Sequence, residues 1–269
     1  MKKLLSAGLC LSMFLLAGCQ GQPQDTTLTI TDQAGREVTF EEPCQTAASG
    51  YYITTTIMIG LQQQDKLTGI EMKPETRPIY AKAAEEILAL PQLGNKKMFN
   101  VEECAKADPD VVFLPVSLES YVEELEALDI PVVLLEPETA DDFEEAVKII
   151  GKVMGCEDKV DEYKQYEEDL LEKYELDEVE EEPTVYFAGS DLLTCATDDM
   201  YQGEILSYAQ ADNAIDAEGS SWVNIDIETL LAANPDYVFI EAGSLSADDF
   251  KNDARVQELQ AVQNDHVYV

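Results

Sequence analysis

The fourteen residues from Val101 to Leu114 recur, without a gap, 126 positions later as Ile227 to Ile240. The two copies read VEECAKADPDVVFL and IETLLAANPDYVFI. In each, a short helical run stops at an (Asp/Asn)-Pro-Asp step, because the residue before a proline is pushed out of the helical region. Each copy then enters a continuous apolar, β-rich run, the pattern of a strand buried on both faces. The shared spacing and the shared acid at the second position make chance a poor account. The chain is therefore expected to fold as two α/β lobes.

Further segments fit that scheme. Ile130 to Leu135 is a strand pattern following a helical one at Tyr121 to Leu128, and Val185 to Ala188 opens the second half. Helix–strand alternation implies parallel sheets with covering helices, and ligands then bind beyond the carboxyl ends of the strands. Between the halves, Asp141 to Leu176 holds almost no turn residues except Gly151 and Gly155. Asp141 can cap a first helix with Phe143, Ala146, Val147, Ile150 and Val153-Met154 on one face, and Gly155 is placed to end it. A second helix is expected from about Asp158 to Leu176, ~28 Å long and able to reach from lobe to lobe. Glu178 to Glu182 with Pro183 reads as a solvated hinge.

The amino terminus says where the protein works. Met1-Lys2-Lys3, an apolar stretch from Leu4 to Leu16 and Ala17-Gly18-Cys19 form a secretory signal too short to span a membrane. Leu16-Ala17-Gly18-Cys19 also resembles the bacterial lipobox, which makes Cys19 the lipidated first residue of the mature chain. Expected segments are therefore a signal peptide over 1–18, a polar tether over 19–27, a first lobe over 28–156, a connecting helix over 157–177 and a second lobe over 178–269. With 55 Asp and Glu against 17 Lys and Arg, the formal net charge is −38. That charge argues against nucleic acid as a partner and against a polybasic grip on anionic lipid. Membrane contact is expected through the lipid alone.

Four cysteines remain in the body of the chain, Cys44, Cys104, Cys156 and Cys195. Their number permits two disulfides outside the cytoplasm, but spacings of 60, 52 and 39 residues match no disulfide framework or zinc pattern. Cys104 shares the apolar side of its helix with Val101 and reads as a core thiol.

Taken in order, several stretches resemble the ABC-transporter substrate-binding proteins for iron–siderophore complexes, haem and cobalamin. They are the opening hairpin Thr31 to Val38, Thr56 to Leu61, Asp65 to Ile70, the two repeat copies, the Gly151/Gly155 region and Ala261 to Tyr268. The resemblance implies an α/β fold of two Rossmann-like lobes with parallel sheets, joined by a single long helix. It implies that Glu102 and Glu228, one per lobe, meet arginine pockets on the transmembrane subunits of an ABC permease. An acid in the first turn of a helix also simply complements the macrodipole, and Asp226 or Asn224 is the candidate cap beside Glu228. Family members continue for a few dozen residues past the segment matching Val267-Tyr268-Val269. A truncated sequence or an incomplete second lobe is therefore expected.

For the ligand, the loops after the strands supply Tyr51, Tyr52, Arg77, Tyr80, Tyr201 and Trp222, together with Ser117 to Tyr121 and Thr194-Cys195. Aromatic side chains suit a large planar or apolar chelate. Arg77 either pairs with an anionic ligand or holds one of many nearby carboxylates, and Trp222 either lines the cleft or packs in the core. A direct metal site is not expected, since the sole histidine, His266, lies in the final strand segment. Haem ligation through Tyr51, Met58 or Tyr201 competes with plain packing roles for the same residues. No catalytic pattern or phosphate-cradling glycine loop is present, so the chain reads as no enzyme, with no cofactor of its own. The expectation is a monomeric, lipid-anchored uptake receptor for a small-molecule metal chelate. The rivals are a molybdate or tungstate receptor and a surface adhesion or sensor lipoprotein.

Overall fold

The computed structural model describes residues 27–174, 181–217, 219 and 221–269. The signal, Cys19, the tether up to residue 26, the stretch 175–180, Glu218 and Ser220 lie outside them. The described chain opens on an antiparallel hairpin of β1 (Leu28–Thr31) and β2 (Glu37–Phe40). Its turn is organised by Asp32, whose carboxylate accepts the N–H groups of Ala34 at 3.1 Å and Arg36 at 2.8 Å. The same carboxylate accepts the Arg36 guanidinium and, at 3.1 Å, the N–H of Leu134 in the first lobe. One buried acid thus closes the turn and pins the hairpin to the lobe. Asp32→Ala would orphan these donors and is expected to cost about 3–5 kcal/mol, read as a fall in Tm on the order of 10 °C. A melt within a degree or two of wild type would show that the hairpin is not held this way.

The first lobe continues with β3 (Ala47–Ser49), α1 (Tyr52–Gly60), β4 (Leu67–Gly69), α2 (Pro78–Ala83), and the short pair β5 (Gly94–Asn95) and β6 (Met98–Phe99). It closes with α3 (Val101–Ala107), β7 (Val111–Pro115), α4 (Val122–Glu126) and β8 (Val132–Leu135). Its sheet runs β4-β3-β7-β8, parallel throughout. Val111, Phe113, Val133 and Leu135 enter one core, and Val112, Leu114, Val132 and Leu134 enter a second on the opposite face. Side chains alternate across a strand, so an unbroken apolar run is what a sheet covered on both sides requires.

The connector is a helix pair, α5 (Ala140–Val153) and α6 (Glu157–Lys173). Thr139, rather than Asp141, caps α5: its Oγ1 accepts the Asp142 N–H at 3.1 Å. Gly155 turns the chain at φ +62°, the left-handed conformation that ends a helix. A side chain at Gly151 would strike the Val160 methyl, so this glycine lets α6 approach α5 closely. The seventeen residues of α6 rise ~26 Å. Val160 and Tyr163 pack on the first lobe, while Leu170 and Leu171 share a cavity wall with the first helix of the second lobe.

The second lobe comprises β9 (Thr184–Ala188), β10 (Thr194–Cys195), α7 (Tyr201–Tyr208), β11 (Asp212–Asn213), β12 (Val223–Asn224) and α8 (Ile227–Ala233). It ends with β13 (Tyr237–Ile240), α9 (Ala247–Asn252), α10 (Gln260–Gln263) and β14 (Val267–Tyr268). The sheet order is β12-β10-β9-β13-β14, with β11 also on β9. Strands β9, β11, β13 and β14 run parallel, as expected, but β10 is reversed and pairs antiparallel with both β9 and β12. The reason is the short link from β9 to β10, tightened where Asp191 accepts the N–H groups of Leu193 and Thr194; a parallel partner needs a long crossover. A second difference lies in β13. Val238 and Ile240 are core residues, but Phe239 is 38% exposed and stacks between Phe187 and Tyr268 on the other face.

The repeat is structural. Asn100 caps α3 by accepting the Glu103 N–H, and Asp226 caps α8 by accepting the Thr229 N–H. Asp108 and Asn234 then end the two helices at positive φ. The aspartate after each proline clamps the neighbouring strand: Asp110 accepts the N–H groups of Gln45 and Thr46, and Asp236 accepts the N–H and hydroxyl of Thr184. In return Thr46 and Thr184 accept the N–H of Asp110 and Asp236.

Candidate functional site

Where the strands of both lobes end, a cavity of about 240 Å³ opens between them. From the first lobe and the connector come Tyr52 and Thr56 on α1, Glu138 after β8 and Phe143 on α5. The second lobe contributes Tyr201 and Gln202 at the start of α7, Trp222, and Glu241 immediately after β13. This is the position at which parallel α/β sheets bind ligands.

Three of the expected ligand residues, Tyr52, Tyr201 and Trp222, stand on this wall. Trp222 also packs over Gly189 and lies 6.4 Å from the Phe187 ring, so it is both a packing residue and a wall. Tyr51 is a step behind: its ring meets Tyr52 edge-on at 5.3 Å, and its buried hydroxyl donates to Glu138 at 2.8 Å. Arg77 is not on the wall; its guanidinium lies 3.9 Å over the Tyr52 ring. Tyr80 does not face the cleft at all. It is fully buried, and its hydroxyl donates to the buried Glu71 at 2.7 Å, which also receives the Thr55 hydroxyl. A buried carboxylate needs such donors, and Tyr80 is drawn inward to supply one. Ser117 and Tyr121 turn elsewhere, to the Lys96 carbonyl and the Phe99 ring. Thr194 bonds Asn224, while Cys195 lies in the core of the second lobe.

The phenols of this site are held protonated. Burial, then Glu241 and Glu138 acting against Arg77, push Tyr52 up to about 12. Burial and the adjacent Glu138 raise Tyr51, and burial with Glu167 and Glu204 raises Tyr201. A phenolate ligand for iron would have to form against both the burial and the carboxylates. Met58 is fully buried in the first core and does not line the cavity. His266 stacks flat on Tyr237 at 4.5 Å and its Nδ1 meets the Asp236 carbonyl, a packing role. Among the described residues, no three His, Cys, Asp or Glu side chains converge as metal ligands. The four cysteines are buried and unpaired, and burial lifts the thiols of Cys44 and Cys104 to about 12, which makes them inert.

Glu102 and Glu228 stand at equivalent places, each in the first turn of its helix and each exposed. Glu102 forms an exposed ion pair with Lys106 at 3.1 Å.

The sequence from residue 48 to 269 matches the periplasmic binding protein family. The chain belongs to that family. A periplasmic binding protein is a solute-binding component of the ABC-transporter type that works outside the cytoplasm and performs no chemistry on its cargo. Among proteins of curated function, none matches the chain. Solved structures similar to this periplasmic binding protein include the molybdate-bound binding protein MolA of Haemophilus influenzae, at 21% identity and a TM-score of 0.78 over 90% of this chain and 82% of that one. Another is CeuE of Helicobacter pylori in a nickel–histidine complex, at 19% identity and a TM-score of 0.76 over 90% and 80%. A third is the haem-binding HutB of Vibrio cholerae, at 17% identity and a TM-score of 0.70 over 83% and 88%. These likenesses bear on the fold, which is the two-lobe α/β architecture found here. No helix among the described residues is long and apolar enough to cross a membrane.

Sequence reasoning missed Glu138, Gln202 and Glu241. The first and last lie just beyond β8 and β13, where strand-end reasoning points, but an acid carries little signal in a chain with 55 of them.

Proposed function

We propose that this periplasmic binding protein captures a metal chelate, such as a ferric siderophore, haem or a corrinoid, and delivers it to an ABC permease. In this reading it acts as a monomer, held to the membrane by lipid on Cys19. The observation that carries the reading is the cavity between the lobes, walled by the rings of Tyr52, Phe143, Tyr201 and Trp222. Four aromatic faces, contributed by both lobes and the connector, suit an apolar ligand shell that bridges them. A helical connector between lobes resists bending more than paired loop hinges do, so closure around the ligand is modest. Arg77 stacks on a ring outside the wall, which gives the oxyanion reading no cation at the ligand position.

Delivery rests on Glu102 and Glu228, two exposed acids at matching places on two similar lobes. Trp222 is the sole tryptophan, so its fluorescence reports the cleft directly. Titration with ferric siderophores, haem, cobalamins and molybdate should show quenching by one chelate per chain, with a matching calorimetric stoichiometry. Trp222→Leu should weaken that chelate about tenfold, the loss of ~1.4 kcal/mol of ring contact. Silence across the panel with folded protein would favour the adhesion or sensor reading.

A further inference from the structure

The charge of the cleft narrows the ligand class, given the chelate reading above. We propose that this site selects a positively charged chelate, gripped between Glu138 of the first lobe and Glu241 of the second.

The two carboxylates lie on one cavity wall, each just beyond the end of a strand, β8 in one lobe and β13 in the other. Both line the cavity that Tyr52 lines, one from each lobe, and both act on the Tyr52 phenol. No lysine or arginine stands on that wall among the described residues. Arg77 spends its charge on the face of Tyr52, and Lys96 acts on the neighbouring Glu136. A third acceptor comes from the second lobe: the buried Oε1 of Gln202, on the same wall, has no hydrogen-bond donor among the described residues. A buried acceptor left unpaired is costly, and a ligand N–H or O–H would satisfy it.

Two like charges across a low-dielectric gap oppose the approach of the lobes. A cation between them turns that repulsion into attraction on both sides, so ligand charge and lobe closure are linked. The surrounding rings favour the same sign, because the faces of Tyr and Trp attract cations. An oxyanion, or a haem presenting its propionates, would meet carboxylates instead.

Matched pairs of chelates isolate the charge. Ferrioxamine B carries a pendant ammonium that its N-acetyl derivative lacks, and diaquacobinamide is a corrin cation whose dicyano form is neutral. Titration calorimetry should find the cationic member of a bound pair at least about tenfold tighter than its twin. Glu138→Gln with Glu241→Gln should erase that preference without moving the melting temperature, since glutamine keeps the acceptor that Tyr51 uses. Should the double variant melt early, the wild-type comparison alone decides. Metal-free desferrioxamine B separates a chelate from an organic cation; binding as tight as the ferric form would keep the charge preference and overturn the chelate. Equal binding of the twins, a preference that survives in a folded double variant, or tighter binding of molybdate overturns the charge inference and leaves the uptake reading standing. Silence from every compound overturns the chelate reading and this inference with it.

Discussion

Reversing Glu102 and Glu228 together to arginine is expected to abolish uptake while leaving ligand affinity and melting temperature close to wild type. Neither side chain takes part in a core. Glu102 is 82% exposed at its side chain, and Glu228 is exposed in the first turn of α8. The caps that hold the two helices are Asn100 and Asp226, so both helices survive the change. Losing one partner of a desolvated charge pair costs ~2–5 kcal/mol. Two such losses, with new like-charge repulsion at the permease, lower docking by several orders of magnitude. Either single reversal should leave partial uptake. The control reverses two other exposed acids, Glu172→Arg on α6 and Glu258→Arg near the far end of α8, for the same change in net charge. If the control impairs transport equally, total charge rather than this pair governs the encounter, and the docking assignment falls.

The repeat made the lobes legible because proline, with Asp or Asn before it and Asp after it, leaves a mark that composition cannot blur. A residue before proline must leave the helix, and the aspartate after it clamps a neighbouring strand through Thr46 or Thr184. The same three-residue step thus ends a helix and starts a strand in both halves. Parallel pairing was legible for β7, β8, β9 and β13, whose apolar runs need cover. The antiparallel pairings of β10 with β9 and β12 were not, because β10 and β12 are two residues long and the reversal is set by Asp191 in a turn.

Within the site, position along the chain was a better guide than residue type. Tyr52, Tyr201 and Trp222 reach the cavity, but Tyr80 goes to Glu71 inside the first lobe. Nothing in the sequence marks Glu71 as a buried acid, so nothing marks Tyr80 as its donor. Thr139 displaced Asp141 as the α5 cap for a related reason, since both are good caps two residues apart and tertiary geometry chose between them. The carboxylates Glu138 and Glu241 were hidden in plain view, two acids in a chain of net charge −38.

That same charge sharpens the expected result at the amino terminus. Cys19→Ala should release the protein from the membrane completely, or leave it unprocessed. Removal of the signal takes Lys2 and Lys3 with it, which carries the formal charge of the mature chain from −38 to −40. An anionic bilayer repels such a body, so no electrostatic attraction replaces the lost lipid. The described residues hold no helix able to span a membrane. In the proposed lipoprotein reading, attachment rests on acyl chains, worth ~0.8 kcal/mol per buried CH₂, with two chains needed for stable anchoring. Fractionation after expression in a lipoprotein-competent bacterium, with mass spectrometry of the mature amino terminus, reads both outcomes. Release should be unaffected by salt, because screening weakens charge contacts and leaves acyl burial intact. A Cys19→Ala protein that is correctly cleaved yet stays with the membrane would place the anchor elsewhere and end the lipoprotein reading.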